Sequence, residues 1–138
     1  MYEWYIFAGL QNSKMKHHIV IAGAGGIGKA VGLLLANYPG IQAKIFIGDL
    51  SLEQAEAGAR WIDEGKSHPI EVEGFEMPTD GFEAFQHVAA EGGVVLDCLP
   101  GSQAPRMARF ALNNKMHYAN LTEYVAETEE IKRKRSNF

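Results

Sequence analysis

Short apolar runs alternate with longer amphipathic segments along most of the chain. Residues 18–22 (HIVIA) and 43–48 (AKIFIG) are almost continuously apolar, as expected of strands that are buried on both faces of a sheet. Between them, residues 28–38 carry apolar side chains at helical spacing, and Pro39-Gly40 ends that helix. Strands that alternate with helices in this way predict βαβ units and a parallel sheet.

The next two elements continue the alternation. Ser51 is expected to cap a helix over residues 51–65, and Gln54, three positions later, completes a capping box. Residues 70–77 (IEVEGFEM) alternate imperfectly between apolar and polar positions. We interpret them as the third strand.

The second half of the chain repeats the same order of elements. The pattern predicts a short amphipathic helix over residues 81–92, a strand over 93–100, a helix over 102–115 with Pro105 in its first turn, a weaker strand over 117–122 and a further helix from Val125.

Together these elements predict an α/β fold with a doubly wound parallel sheet, the Rossmann fold, in which the strand order is 3-2-1-4-5. The predicted domain covers residues 17–131. Residues 1–16 are interpreted as an N-terminal appendage, and residues 132–138 as a basic tail.

The glycine-rich stretch GAGGIGKA, which follows the first strand, fits two motifs. Gly23, Gly25 and Gly28 match the dinucleotide-binding pattern G-x-G-x-x-G. Gly23, Gly28 and Lys29 also match most of the P-loop pattern G-x-x-x-x-G-K. A P-loop needs Ser or Thr after its lysine, because that hydroxyl ligates Mg²⁺. Ala30 stands there and has no oxygen to offer.

The dinucleotide motif makes a further demand, which the sequence meets. It requires an acidic residue about 20 positions after the last glycine, at the end of the second strand, to bind the adenosine ribose. Asp49 occupies that position, so dinucleotide binding is favoured over NTP binding. Leu50 and Ser51 bring no arginine for a 2′-phosphate, and a carboxylate would repel one. NAD is therefore the expected cofactor, with NADP as the alternative.

The turn after the fourth strand, Leu99-Pro100-Gly101, lies at the carboxyl edge of the sheet, where such folds bind their ligands. It is either a contact to the nicotinamide-side ribose or a plain strand-ending turn. The predicted cofactor-binding residues are Gly23, Ala24, Gly25, Gly26, Ile27, Gly28, Asp49, Leu50, Leu99, Pro100 and Gly101.

Other chemistry-bearing residues give weaker signals. Met77 and Pro78 follow the third strand and pack either against adenine or in the core. Cys98 is interpreted as a core residue, and Asp97 is expected to face the opposite way and to find backbone amides near the nucleotide. The histidines show no metal-ligand spacing, and no catalytic residue is assigned.

Composition sets the class of protein. The 138-residue chain has a formal net charge of −4 and is 46% hydrophobic, as expected of one soluble domain without a nucleic-acid partner. No stretch approaches the roughly 20 apolar residues of a membrane span. The apolar run over residues 4–10 lacks the basic flank of a secretory signal. A single cysteine indicates a cytoplasmic protein without disulfides.

Four segments resemble the N-terminal domain of saccharopine dehydrogenases and the related L-lysine dehydrogenases: HIVIAGAGGIGKAVGLLLA, IFIGDLSLEQAE, VVLDCLPG and NNKMHYANLTEYVAETEEI. The resemblance extends from Lys16 to Ile131, with Asn120 where family members commonly have Asp. It implies an NAD(P)-dependent oxidoreductase that acts on an amino acid or a secondary amine.

The resemblance also implies a missing part. Family members continue into a second α/β domain that holds most of the amino-acid site and the dimer contacts. A single truncated domain is therefore expected to bind dinucleotide weakly and to catalyse little, with an amino-acid substrate only in an intact enzyme and homo-oligomerisation left open. Two alternatives remain: a non-catalytic Rossmann module for nucleotide sensing or interaction, and a P-loop-like NTPase.

Overall fold

The computed structural model describes residues 16–121, 130–133 and 135. Five parallel strands form one sheet in the order β3-β2-β1-β4-β5, as predicted. The strands are β1 (His17–Ala22), β2 (Ala43–Asp49), β3 (Glu71–Glu76), β4 (Val94–Asp97) and β5 (His117–Asn120). The order reverses between β1 and β4, so a crevice opens between their carboxyl ends.

Three α-helices connect these strands: α1 (Gly26–Ala36), α2 (Leu52–Gly65) and α3 (Ala104–Asn113). Pro105 lies in the first turn of α3, where its missing N–H breaks no helical hydrogen bond. A 3₁₀ turn over Gly101–Gln103 precedes α3. The chain is also helical over residues 130–133, whereas Val125, where a last helix was expected to begin, lies outside the described residues.

The structure corrects two of the predicted elements. The helix expected over residues 81–92 is a kinked 3₁₀ segment over Glu83–Val88, because Phe85 leaves helical geometry. The Phe85 ring is buried and lies 5.0 Å from the ring of Phe110. The fourth strand ends at Asp97 rather than at residue 100, because the Asp97 carboxylate accepts a hydrogen bond from the Leu99 N–H and turns the chain.

The core lies on both faces of the sheet, because neighbouring residues of each strand point to opposite sides. Val20 and Val95 pack with α3 on one face, and Ile21 and Ile47 pack with Ile62 of α2 on the other. Two-sided burial explains the apolar runs of the first two strands. The domain limits at residues 17 and 131 stay a prediction, and all of the predicted appendage except Lys16 lies outside the described residues.

Candidate functional site

The glycine-rich loop joins β1 to α1, and two of its glycines leave no room for a side chain. Gly23 has a φ of +107°, and a Cβ there would lie 3.1 Å from the carbonyl oxygen of Cys98. A Cβ on Gly28 would lie 1.8 Å from the carbonyl oxygen of Gly23. Both positions therefore require glycine so that the loop can fold tightly onto the strand.

Gly25 differs from its neighbours because its surroundings are open. Its φ is −75°, which any residue can adopt, and a Cβ there would meet nothing within 4 Å. No side chain caps the start of α1, and its first turn holds no acidic residue. The exposed Gly26 and Ile27 extend this open surface. Free N–H groups at a helix start and a Cβ-free approach fit a diphosphate.

Asp49 lies at the end of β2, beside the glycine-rich loop. Its Oδ2 accepts a hydrogen bond from the Ala24 N–H at 3.1 Å, and its Oδ1 accepts one from the Ser51 N–H at 3.3 Å. Each carboxylate oxygen can accept a second hydrogen bond, so the half-exposed group keeps capacity for ribose hydroxyls. Leu50, next in the chain, is exposed.

The predicted capping box of α2 forms only in part. Ser51 Oγ accepts from the Gln54 N–H at 3.3 Å, which confirms the cap. The Ser51 N–H, however, donates to Asp49 and not to the Gln54 side chain. The start of α2 therefore helps to orient the Asp49 carboxylate.

The turn after β4 packs against the other side of the glycine-rich loop. The Cys98 N–H donates to the Ala22 carbonyl at 2.8 Å, which extends the β1–β4 pairing by one residue. A Cβ on Gly23 would lie 3.4 Å from the Leu99 side chain. Pro100 is exposed at the crevice edge, whereas Gly101 is buried. The structure thus brings all three groups of predicted cofactor-binding residues to the edge where β1, β2 and β4 end.

Asp97 has two partners, one of which sequence reasoning missed. Its Oδ1 accepts from the Leu99 N–H at 3.0 Å, a backbone amide as expected. Its Oδ2 accepts from the Tyr118 hydroxyl at 2.7 Å. Burial raises the pKa of the Asp97 carboxyl, and these two hydrogen bonds partly oppose that shift. Asn120 Nδ2 donates to the Tyr118 hydroxyl at 3.3 Å.

Arg106, in the first turn of α3, also escaped sequence reasoning. Its guanidinium donates to the carbonyl oxygens of Pro78 and Gly81 and stacks over the rings of Phe82 and Phe85. It thereby ties the loop after β3 to α3. No local pattern signals this, because the partners are backbone carbonyls 25 and 28 residues away.

The other residues singled out in the sequence contact protein groups. Met77 is only 2% exposed and packs in the core, not against a ligand site. Cys98 is half-buried, and burial raises the pKa of its thiol, with the Asp97 carboxylate as a second cause. Lys29 places Nζ 5.4 Å from the centre of the Trp61 ring. Lys44 pairs with Glu71 and Glu73, at the start of β2.

Two absences can be stated for the described part of the chain. Its His, Cys, Asp and Glu side chains form no group of three or more that could hold a metal ion. None of its helices combines the length and the apolar character that crossing a membrane requires.

Comparison with known proteins identifies the family of the chain. The model of the saccharopine dehydrogenase NADP binding domain matches residues 19–137, which is most of the chain. A match of that extent establishes the family, and with it NAD(P) as the ligand of the domain. No curated protein matches the chain significantly.

Proposed function

The chain belongs to the saccharopine dehydrogenase family as its NADP-binding domain, and on that premise we propose how its own residues bind the dinucleotide. The first turn of α1 and the open backbone at Gly25 and Gly26 hold the diphosphate. Asp49 accepts hydrogen bonds from the adenosine ribose. Leu99, Pro100 and Gly101 line the nicotinamide side. The observation that carries this proposal is the contrast between Gly28, where a Cβ cannot fit, and Gly25, where only the ligand would meet it.

The proposed cofactor preference is for NAD over NADP. The 2′-phosphate of NADP carries a charge of about −2 and would face the Asp49 carboxylate. Lys29 and Lys44 have other contacts: Lys29 lies over Trp61, and Lys44 pairs with glutamates at the far end of β2. Losing hydrogen bonds to a charged group costs about 1.5–3 kcal/mol. Because about 1.4 kcal/mol is one decade in affinity, we expect at least a tenfold preference.

The reaction class we propose is hydride transfer to or from an amino acid or a secondary amine, performed by an intact enzyme that contains this domain. The bound nicotinamide supplies the hydride chemistry, and the residues of this chain orient the cofactor. Among the described residues we recognise no nucleophile paired with a general base. We propose that this domain by itself binds dinucleotide weakly and catalyses little.

Isothermal titration calorimetry with NAD, NADP and Mg²⁺–ATP tests the assignment. We expect metal-independent binding of NAD, weaker binding of NADP and no specific binding of Mg²⁺–ATP. Gly25→Val should abolish NAD binding and keep the fold, because the branched side chain fills space that the ligand needs. NAD affinity that is unchanged in Gly25→Val would refute the site, and tighter binding of Mg²⁺–ATP than of NAD would favour the NTPase alternative.

The second candidate function is a non-catalytic nucleotide-sensing or interaction module. It is favoured by the exposed apolar side chains beside the crevice, Ile27 and Leu50. The enzyme and a nucleotide-sensing module both predict NAD binding by this chain. They differ in whether lysine or saccharopine is oxidised with NAD when the chain is joined to a second α/β domain of the family.

A further inference from the structure

Asp97 is an unusual residue for the centre of a domain. Among the described residues it is the one charged or polar residue that is buried, with only 3% of its surface exposed. It lies at the carboxyl end of β4, in register with Ala22 of β1 and Asn120 of β5. A buried carboxylate is costly unless every oxygen has a partner, so its contacts indicate what it is retained for.

The two oxygens of Asp97 connect two separate parts of the chain. Oδ1 accepts from the Leu99 N–H at 3.0 Å and thereby shapes the turn that leaves β4. Oδ2 accepts from the Tyr118 hydroxyl at 2.7 Å, on the neighbouring strand. That hydroxyl also lies 3.3 Å from Asn120 Nδ2 and 3.3 Å from the carbonyl oxygen of Ala104, at the start of α3. The turn is thus linked to Tyr118 of β5 through one carboxylate.

This turn forms one wall of the crevice. The carbonyl oxygen of Cys98 and the side chain of Leu99 lie 3.1 and 3.4 Å from the place where a Cβ on Gly23 would be. Any movement of the turn therefore changes the space beside the glycine-rich loop. Asp49, on the other side of β1, is held by Ala24 and Ser51 and shares no hydrogen bond with Asp97 or Tyr118.

We propose that Asp97 and Tyr118 are positioning residues that hold the Leu99–Gly101 turn against the nicotinamide half of the dinucleotide. This inference rests on the proposed function, since it needs the turn to line that half. It predicts that substituting Asp97 or Tyr118 weakens binding of the whole dinucleotide and leaves binding of its adenosine half unchanged. A residue that merely stabilised the domain would affect both halves together.

The test measures the dissociation constants of NAD and ADP by calorimetry for the unmodified chain and three variants. Tyr118→Phe removes one hydrogen bond to Asp97, and we expect it to raise the dissociation constant of NAD roughly three- to tenfold. Asp97→Leu removes both acceptors and should raise it more than tenfold. Asp97→Asn keeps an oxygen for the Leu99 N–H and should restore NAD binding to within about threefold. ADP binding should change less than about twofold in every folded variant.

Tyr38→Phe is the matched control, because it removes the same hydroxyl from an exposed tyrosine beyond the end of α1. It should leave both dissociation constants unchanged. Circular dichroism and thermal unfolding verify that each variant folds. If Asp97→Leu does not fold, Tyr118→Phe, which keeps the partly buried ring, still decides the question.

Each of the following results would overturn the inference. Parallel weakening of NAD and ADP would show a general stabilising role, and unchanged NAD binding in folded Tyr118→Phe would show that the turn is not held by this contact. An unmodified chain that binds neither ligand would refute the proposed function and this inference with it. Binding of NAD that Gly25→Val abolishes but Tyr118→Phe leaves intact would refute the inference alone.

Discussion

The two sides of the crevice are built in different ways. On the β1–β2 side, backbone groups and missing side chains form the site: Gly23 and Gly28 bring the chain close to itself, and Asp49 accepts from backbone N–H groups. On the β4–β5 side, side-chain hydrogen bonds among Asp97, Tyr118 and Asn120 hold a turn in place. The first side depends on residues that nothing larger can replace, and the second on contacts between separate strands.

The difference has consequences for which substitutions each side tolerates. A clash of a new side chain with the backbone cannot be relieved by rotating a side chain. A single substitution at Gly23 or Gly28 should therefore cause a large loss in the free energy of unfolding. The network on the β4–β5 side can lose one hydrogen bond and keep the others, so each single substitution there should have a smaller effect. The substitutions below measure this contrast.

The largest expected effect is that of Gly28→Ala. Its Cβ would lie 1.8 Å from the Gly23 carbonyl oxygen, so the loop or α1 must move. We expect a loss of about 3 kcal/mol or more in the free energy of unfolding, measured by urea denaturation. Gly25→Ala is the matched control: it adds the same methyl group in open space and should change stability by less than about 0.5 kcal/mol. Similar stabilities of the two variants would contradict the described loop geometry.

Gly25 and Gly28 belong to the part of the structure that the sequence predicted. The motif, the strand order and the position of Asp49 all depend on residues that are near one another in sequence or on the alternation of elements, and the fold and its strand order were predicted from these. The role of each glycine follows from the geometry of one tight turn, which the spacing encodes.

The contacts that sequence reasoning missed depend on which residues the folded sheet brings together. Asp97 and Tyr118 are 21 residues apart, and Arg106 reaches carbonyls 25 and 28 residues away. Register between β4 and β5 decides that Tyr118 reaches Asp97, and no sequence pattern specifies that register. Phe85 shows the same limit: its burial between Phe75 and Phe110 prevailed over the helical spacing of the segment.

The next effect concerns cofactor choice on the β1–β2 side. Asp49→Ser removes the carboxylate that would repel a 2′-phosphate and puts a shorter side chain in its place, which reaches the ribose hydroxyls less well. We expect NAD to bind at least about tenfold more weakly, while the preference for NAD over NADP decreases or reverses. The measurement is the dissociation constant of each dinucleotide at one ionic strength. Equal constants for NAD and NADP in the unmodified chain would show that Asp49 does not discriminate between them.

A smaller effect is expected at the start of α2. Ser51→Ala removes the Oγ that accepts from the Gln54 N–H and should lower the free energy of unfolding by about 1 kcal/mol. The Ser51 N–H that donates to Asp49 belongs to the backbone and remains, so NAD affinity should stay the same. Ser51→Asp, which keeps a cap acceptor, should recover most of the stability. Loss of NAD binding in Ser51→Ala would mean that the hydroxyl itself contacts the ligand.

The smallest expected effect is a pH dependence on the β4–β5 side, seen in the difference between Asp97→Asn and the unmodified chain. Burial raises the pKa of the Asp97 carboxyl in the folded state above its unfolded value, so the folded state holds that proton more tightly. As the pH rises above about 4 through the folded pKa, the unmodified chain therefore loses stability that the proton supplied.

Asp97→Asn has no proton to lose at this position, and the other groups titrate alike in both proteins. Cys98 and Tyr118, whose pKa values are raised by burial and by Asp97, ionise only above neutral pH. Urea denaturation at pH 4 and pH 7.5 should thus show the stability of Asp97→Asn increasing relative to that of the unmodified chain as the pH rises. A constant difference would mean that hydrogen bonds from Tyr118 and Leu99 balance the cost of burying the carboxylate, and a difference that moves the other way would mean that they outweigh it.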